Sequence, residues 1–247
     1  MAWILDLDGV VWLGDEPIAG ASDAVAALRD RGEQVLFVSN NSSAPIDSYL
    51  AKLAFIGVPA EADDLLTSAQ AAATLLTPGQ TALVCAGPGV DEALHQRGVH
   101  IVREGAADAV VVGWHRDFDY HGLTAAARAV MGGATLIGTN DDATYPTPHG
   151  PIPGGGAILA AVATASGVQP VIAGKPHQPM VDLVRQRVGG KLDGSIVVGD
   201  RPSTAGFFAA ALGLPFYLVL SGVTQPDDLP VDPSPARVAA DLASLVR

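Results

Sequence analysis

Short apolar runs alternate along this chain with alanine-rich stretches of helical spacing, and this alternation constrains the fold more than any other feature. The runs lie at 3–5, 35–38, 82–84, 109–112, 135–137, 171–173, 196–198 and 216–220. Helical spacing marks 21–30, 44–55, 68–76, 123–131, 156–165, 179–188 and 204–212. Strands that are apolar at nearly every position, separated by helices, predict a parallel sheet covered on both faces. The chain is therefore expected to be α/β. The 247 residues suffice for one large domain or two small ones. A turn at Thr77-Pro78-Gly79 and a second break near Gln169-Pro170 bracket a segment with its own strands and helices, so an inserted domain is expected there.

Charge narrows the partners. Twenty-six acidic residues against 14 basic ones give a net charge of -12, which disfavours nucleic acid and a polybasic membrane contact. No apolar run approaches the roughly 18 residues of a membrane span, and the start of the chain lacks the pattern of a secretory signal. Cys85 is the only cysteine, so neither a disulfide within the chain nor a cysteine metal cluster is expected. A reducing, cytoplasmic setting is the simplest expectation.

Four strand-like runs end in chemistry-bearing residues: Asp6-Leu7-Asp8-Gly9, Ser39-Asn40-Asn41-Ser42, Gly174-Lys175-Pro176 and Gly199-Asp200-Arg201. Ligands of open parallel sheets bind beyond the carboxyl ends of the strands, so these four ends are expected to converge on one site. Its carboxylates, hydroxyl, amides and single ammonium fit phosphoryl transfer. A carboxylate can attack phosphorus and form an aspartyl-phosphate. The obstacle is charge: two like charges about 4 Å apart repel by roughly 4 kcal/mol at an effective dielectric near 20. A magnesium ion on oxygen ligands offsets that repulsion, and Lys175 supplies a point charge for the phosphate. Asp6 and Asp8, two apart, can face one way at a strand end; one attacks while the other moves protons.

In this order the four segments resemble the motifs of the haloacid dehalogenase superfamily. The long insert between the second and third, and the run Thr139-Asn140-Asp141-Asp142-Ala143-Thr144-Tyr145-Pro146 with the glycines at 154–156, resemble subfamily IIA, the NagD-like and p-nitrophenylphosphatase-like phosphatases. The resemblance implies a Rossmann-like core of 1–78 plus 173–247, and an α/β cap of the C2 type at 79–172 that moves relative to it. It implies Asp6 as nucleophile and Asp8 as general acid/base. Magnesium would be held by Asp6, the Asp8 carbonyl and Asp200, and phosphate by Ser39, the Asn40 amide and Lys175. Asn41 would support the loop, and Asn140 and Asp142 would serve substrate or loop. One departure stands out: the family's fourth motif usually carries a second aspartate where this chain has Ala205, so a magnesium-bound water is expected to lack its usual partner.

Taken singly, each motif is also a common turn or helix cap; together and in order they point to a shared site. The other features read as structural. Gly154-Gly155-Gly156 is expected to be a turn entering a helix, and Gly87-Pro88-Gly89 a turn without the dinucleotide spacing. His115, Asp117, Asp119 and His121 read as a polar cap loop, and Cys85 as a small buried residue. Asp15-Glu16 reads as a solvated flap in which Trp12 shields the site. Arg97, Arg103, Arg116 and Arg128 stand against eight acidic residues in the insert, so the expected substrate is a small phosphate ester of a polyol, sugar or glycolate, with glycerol phosphate, phosphoglycolate and nucleoside monophosphates all open. The competing readings are a phosphotransferase or mutase of the same superfamily and a catalytically weak binding protein on the same fold. A homodimer is admitted as a partner state.

Overall fold

A computed structural model describes residues 1–147 and 149–247. Two parallel sheets form the molecule. The larger has six strands in the order Arg237–Ala239, Phe216–Val219, Ile196–Gly199, Ala2–Leu5, Gln34–Ser39, Leu65–Thr67. The smaller has five: Val171–Ile172, Thr135–Gly138, Ala109–Val112, Thr81–Cys85, His100–Val102. Every pairing within these two sheets is parallel, so the expected α/β class holds. No strand of 81–172 pairs with the larger sheet among the described residues.

Alternation along the central strands divides the apolar side chains between two faces. Trp3, Leu5 and Phe37 pack with Val25, Leu28 and Leu245 on one side. Ile4, Leu36 and Val38 pack with Met180, Val184 and Phe208 on the other. The helix Ala21–Asp30 shows why the alanine-rich stretches form amphipathic cover: its buried residues, Ala21, Ala24, Val25 and Leu28, recur at helical spacing. The second apolar cluster does not stop at the larger sheet. It runs through Ala69, Ala72 and Ala73 of the helix Ser68–Ala73 to Val90, Leu94, Val84 and Val111 under the smaller sheet. Leu83, Val110, Ile158 and Val162 fill that sheet's far face.

One expectation is corrected. Gly87-Pro88-Gly89 is not a free turn: Gly87 is the N-cap of the helix Pro88–Gln96, with Pro88 in its first turn, where its missing N–H costs nothing. A Cβ at Gly87 or Gly89 would meet the main chain of Ser42, Ser43 and Ala44, so the glycines let this helix approach the loop after the second strand. From there Glu92 accepts a hydrogen bond from the Ile46 amide at 2.8 Å, satisfying the start of the helix Ile46–Phe55, which has no side-chain cap of its own. The run at 204–212 also differs: Pro202–Gly206 is a π turn, and the α-helix spans Phe207–Leu212. Two short hairpins complete the fold, Trp12–Leu13 with Glu16–Pro17 and Thr144–Tyr145 with Ile152–Pro153. Among the described residues no helix is long and apolar enough to cross a membrane.

Candidate active site

Strand order in the larger sheet reverses at Ala2–Leu5, whose neighbours are Ile196–Gly199 on one side and Gln34–Ser39 on the other. Ligands of doubly wound sheets bind at such a reversal. The cleft there is lined by Asp6, Asp8, Ser39, Asn40, Asn41 and Lys175. Asp200 closes one side, and Asn140 and Asp142 enter from the insert. Every candidate site residue named from the sequence thus meets in one cleft.

Lys175 is 2% exposed. Its Nζ lies 2.6 Å from Asp6 Oδ2 and donates to the Val38 carbonyl at 2.7 Å. The other Asp6 oxygen accepts from the Leu7 amide at 2.9 Å. Asp200 is 5% exposed, and its Oδ2 accepts from the Val223 amide at 2.7 Å. Its carboxylate lies so close to Gly9 and Gly222 that a Cβ at either would collide with it; Gly9, at φ 80, also needs the left-handed backbone glycine allows. Thr224 Oγ1 donates to the Asp200 carbonyl at 2.6 Å, and Ser221 Oγ to the Gly9 carbonyl at 2.7 Å. The loop after Phe216–Val219 therefore clamps Asp200 from behind.

Asn40 links core and insert. Its Oδ1 accepts from the Lys175 amide at 2.7 Å, and its Nδ2 donates to Asp142 Oδ2 at 2.9 Å. Asn140 donates to the Asn40 carbonyl at 2.7 Å. Arg201 Nη1 lies 3.5 Å from Asp142 Oδ1, and His177 Nε2 3.1 Å from Asp141 Oδ2. Asn41 Oδ1 accepts from Ser43 Oγ at 2.7 Å and from the Ser43 amide at 3.0 Å.

Asp8 faces two aromatic donors. Trp12, 2% exposed, donates from Nε1 at 3.1 Å, and the Tyr145 hydroxyl donates at 3.2 Å. Burial first, then the Asp6 charge, pushes the Asp8 carboxyl up to about 6. The same two causes push Asp200 up to about 6, and burial raises Asp142. The cleft is short of positive charge. Among the described residues no three His, Cys, Asp or Glu side chains are arranged to cage a metal by themselves. A hard cation taking one or two carboxylates and completing its shell with water and substrate oxygens suits this donor set, and magnesium is such a cation.

Ala205 is 1% exposed and packs against Gly199 in the apolar cluster of Phe208 and Phe216. It does not line the cleft, whereas Thr204 and Arg201 do. The expectation that Ala205 leaves a gap beside a metal-bound water is corrected: the side chain at 205 faces the core. Asp119 caps the helix Tyr120–Met131 by accepting from the Gly122 amide at 2.7 Å. Gly154 is the N-cap of the helix Gly155–Ser166 and lines the cleft. Cys85 is buried, and burial pushes its thiol up to about 11. Asp15 and Glu16 are exposed. Sequence reasoning gave no role to Trp114, Tyr145 or Val223. Trp114 follows the end of a strand, the signal that could have found it, whereas Val223 acts through its amide and carries none.

Comparison with known proteins agrees with this geometry. A haloacid dehalogenase-like hydrolase family model matches residues 3–100, and a HAD-hydrolase-like model matches 172–245. The D-glycerol 3-phosphate phosphatase of Mycobacterium tuberculosis is 37% identical over 98% of this chain and 70% of its own length. The solved p-nitrophenyl phosphatase of Archaeoglobus fulgidus superposes with a TM-score of 0.92 at 30% identity, covering 99% of this chain and 97% of the other. A glycerol phosphate phosphatase of M. tuberculosis in complex with magnesium superposes with a TM-score of 0.90 at 35% identity, covering 99% and 75%. The chain therefore belongs to the haloacid dehalogenase-like hydrolases, as a magnesium-dependent phosphatase that hydrolyses phosphoric monoesters.

Proposed function

We propose that this phosphatase acts on the phosphate ester of a small polyol, with Asp6 as covalent nucleophile and Asp8 as general acid/base. The observation that carries this reading is the meeting of Asp6, Asp8 and Asp200 with the buried Lys175 in one cleft. Lys175 and Ser39 bind the phosphoryl oxygens together with the Asn40 main-chain amide, since the Asn40 side chain is engaged with Lys175 and Asp142. Asp6 and Asp200, with the Asp8 carbonyl, would hold magnesium, which when bound supplies the positive charge that lets an anionic carboxylate approach a dianionic ester.

In the first step an Asp6 oxygen bonds to phosphorus and the ester P–O bond breaks. Asp8 gives its proton to the departing alkoxide. In the second step Asp8 takes a proton from water, whose oxygen attacks phosphorus and releases Asp6 and inorganic phosphate. Residues 79–172 act as a cap over a core of 1–78 and 173–247. The cleft beneath it is lined mainly by polar side chains, which suits a leaving group that carries hydroxyls. Asp142, Arg201 and Asn41 at its edge offer polar partners for hydroxyls, and a relative from M. tuberculosis is named for such an ester, D-glycerol 3-phosphate. A panel of glycerol, glycolate, hexose and nucleoside monophosphates tests the substrate class: kcat/KM is expected to be highest for the glycerol ester. A clear preference for nucleotides would refute it. Asp6→Asn tests the nucleophile. It is expected to abolish turnover in a folded protein, and appreciable residual activity would refute the assignment.

A further inference from the structure

We infer that Tyr145 is a positioning residue for the acid/base carboxyl: with Trp12 it occupies one oxygen of Asp8 and so directs the proton-bearing oxygen at the leaving group. The inference rests on Asp8 acting as general acid, and adds to that reading the device that orients it.

The geometry is specific. Trp12 Nε1 and Tyr145 Oη both reach the same oxygen, Oδ1, at 3.1 and 3.2 Å. An indole N–H only donates. A phenol is protonated at neutral pH, so the Tyr145 hydroxyl donates as well. With two donors on Oδ1, the acid proton resides on Oδ2. The terminal torsion of an aspartate is broad and two-fold, so one donor alone leaves the carboxyl free to rock and to exchange its oxygens. Two donors from different directions fix it.

Both donors are themselves held. Trp12 belongs to the first hairpin, and the Lys52 ammonium sits 4.4 Å from its ring centroid. Tyr145 belongs to the second hairpin, inside the insert, and its ring stacks on Trp114 at 4.9 Å between centroids and 21° between planes. Trp114 in turn donates from Nε1 to the Pro153 carbonyl at 3.0 Å, on the other strand of that hairpin. Segments far apart in sequence thus meet on one carboxylate oxygen. Asp8 is correctly oriented only when the second hairpin is seated, which ties leaving-group protonation to closure of the insert over the cleft.

The test is Tyr145→Phe, which removes the hydroxyl and keeps the stacked ring. Turnover is measured at saturating magnesium on phenyl phosphate and p-nitrophenyl phosphate, esters of similar shape. Phenoxide is a poor leaving group that needs its proton, whereas p-nitrophenoxide is far less basic and leaves largely without one. General acid catalysis contributes about 10²–10⁴-fold, so partial loss of orientation is expected to lower kcat on phenyl phosphate about tenfold and on p-nitrophenyl phosphate less than threefold, with KM little changed. In an Asp8→Asn background the same substitution is expected to have no leaving-group-dependent effect. Equal losses on both esters, or no loss on either, would overturn the inference. If Asp8→Asn itself retained full turnover of phenyl phosphate, the underlying assignment of Asp8 would fall instead, so the two failures are distinct.

Discussion

Ala205→Asp restores the carboxylate that the fourth motif usually carries, and the structure predicts that it damages the fold and does not improve metal use. Ala205 is 1% exposed and its methyl group sits against Gly199, where a Cβ has no room. It belongs to the apolar cluster that holds Phe208 and Phe216, side chains that offer a carboxylate no hydrogen bond. Two costs follow. Overpacking a filled core costs about 1–3 kcal/mol. Burying an acid that must be desolvated or neutralised adds several more, since a fully buried carboxyl shifts by up to about 3–5 pH units at 1.36 kcal/mol each. A total near 5 kcal/mol is at the diagnostic end of single substitutions. For a chain of this size about 1 kcal/mol moves the melting temperature by roughly 2–4 °C, so a drop of about 10 °C or more is expected. Calorimetry of wild type and Ala205→Asp would measure it, alongside magnesium titrations of the phosphatase rate. Unchanged melting together with a lower magnesium requirement would show that residue 205 reaches the cleft, and would refute the reasoning.

Two further predictions follow from the same cleft. Lys175→Ala removes the cation 2.6 Å from Asp6, so kcat is expected to fall and KM to rise together, because the lysine serves both bound ester and transition state; unchanged steady-state kinetics would exclude it from the site. The metal-free protein is expected to melt at a higher temperature at pH 5 than at pH 7.5. Asp8 and Asp200 titrate near 6 when folded against an ordinary 3.8, so the folded state binds more protons between those values, and this stability, present at low pH, is lost as pH rises through 6. Saturating magnesium should flatten or reverse the trend, and a chelated sample showing the opposite slope, with Asp200→Asn as control, would contradict it.

The central architecture was legible because it is written in apolar periodicity. The run at 109–112 becomes the strand Ala109–Val112, buried throughout. The strands that left no mark are short: His100–Val102 and Arg237–Ala239 hold no fully buried residue, and three residues of ordinary composition are no signal. Gly87-Pro88-Gly89 reads as a turn because Gly-Pro-Gly is turn chemistry, whereas in the fold glycine also lets the start of this helix approach the 42–44 main chain. In the site, Asp6, Asp8, Lys175 and Asp200 stood out because they end strands. Val223 could not, because it acts through its amide, and a main-chain donor leaves no trace in residue type. Tyr145 was visible within a run but acquires its part only when a hairpin more than a hundred residues away is brought to Asp8.

The apolar cluster that passes through Ala69, Ala72 and Ala73 from one sheet to the other has a consequence for modularity. An insert joined to its host only by two chain crossings could be cut out, exchanged for another, or melt by itself. Here the cover of one sheet is also the floor of the next, so excision would bare Ala69, Ala72 and Ala73 on the host and leave Val90 and Leu94 wet. Hydrophobic burial of that kind is lost all at once. Residues 1–78, 79–172 and 173–247 are accordingly expected to unfold in one cooperative transition. Transplanting this insert onto a related scaffold would require the alanine face of Ser68–Ala73 to travel with it, which makes that helix the true junction, although it lies outside the insert.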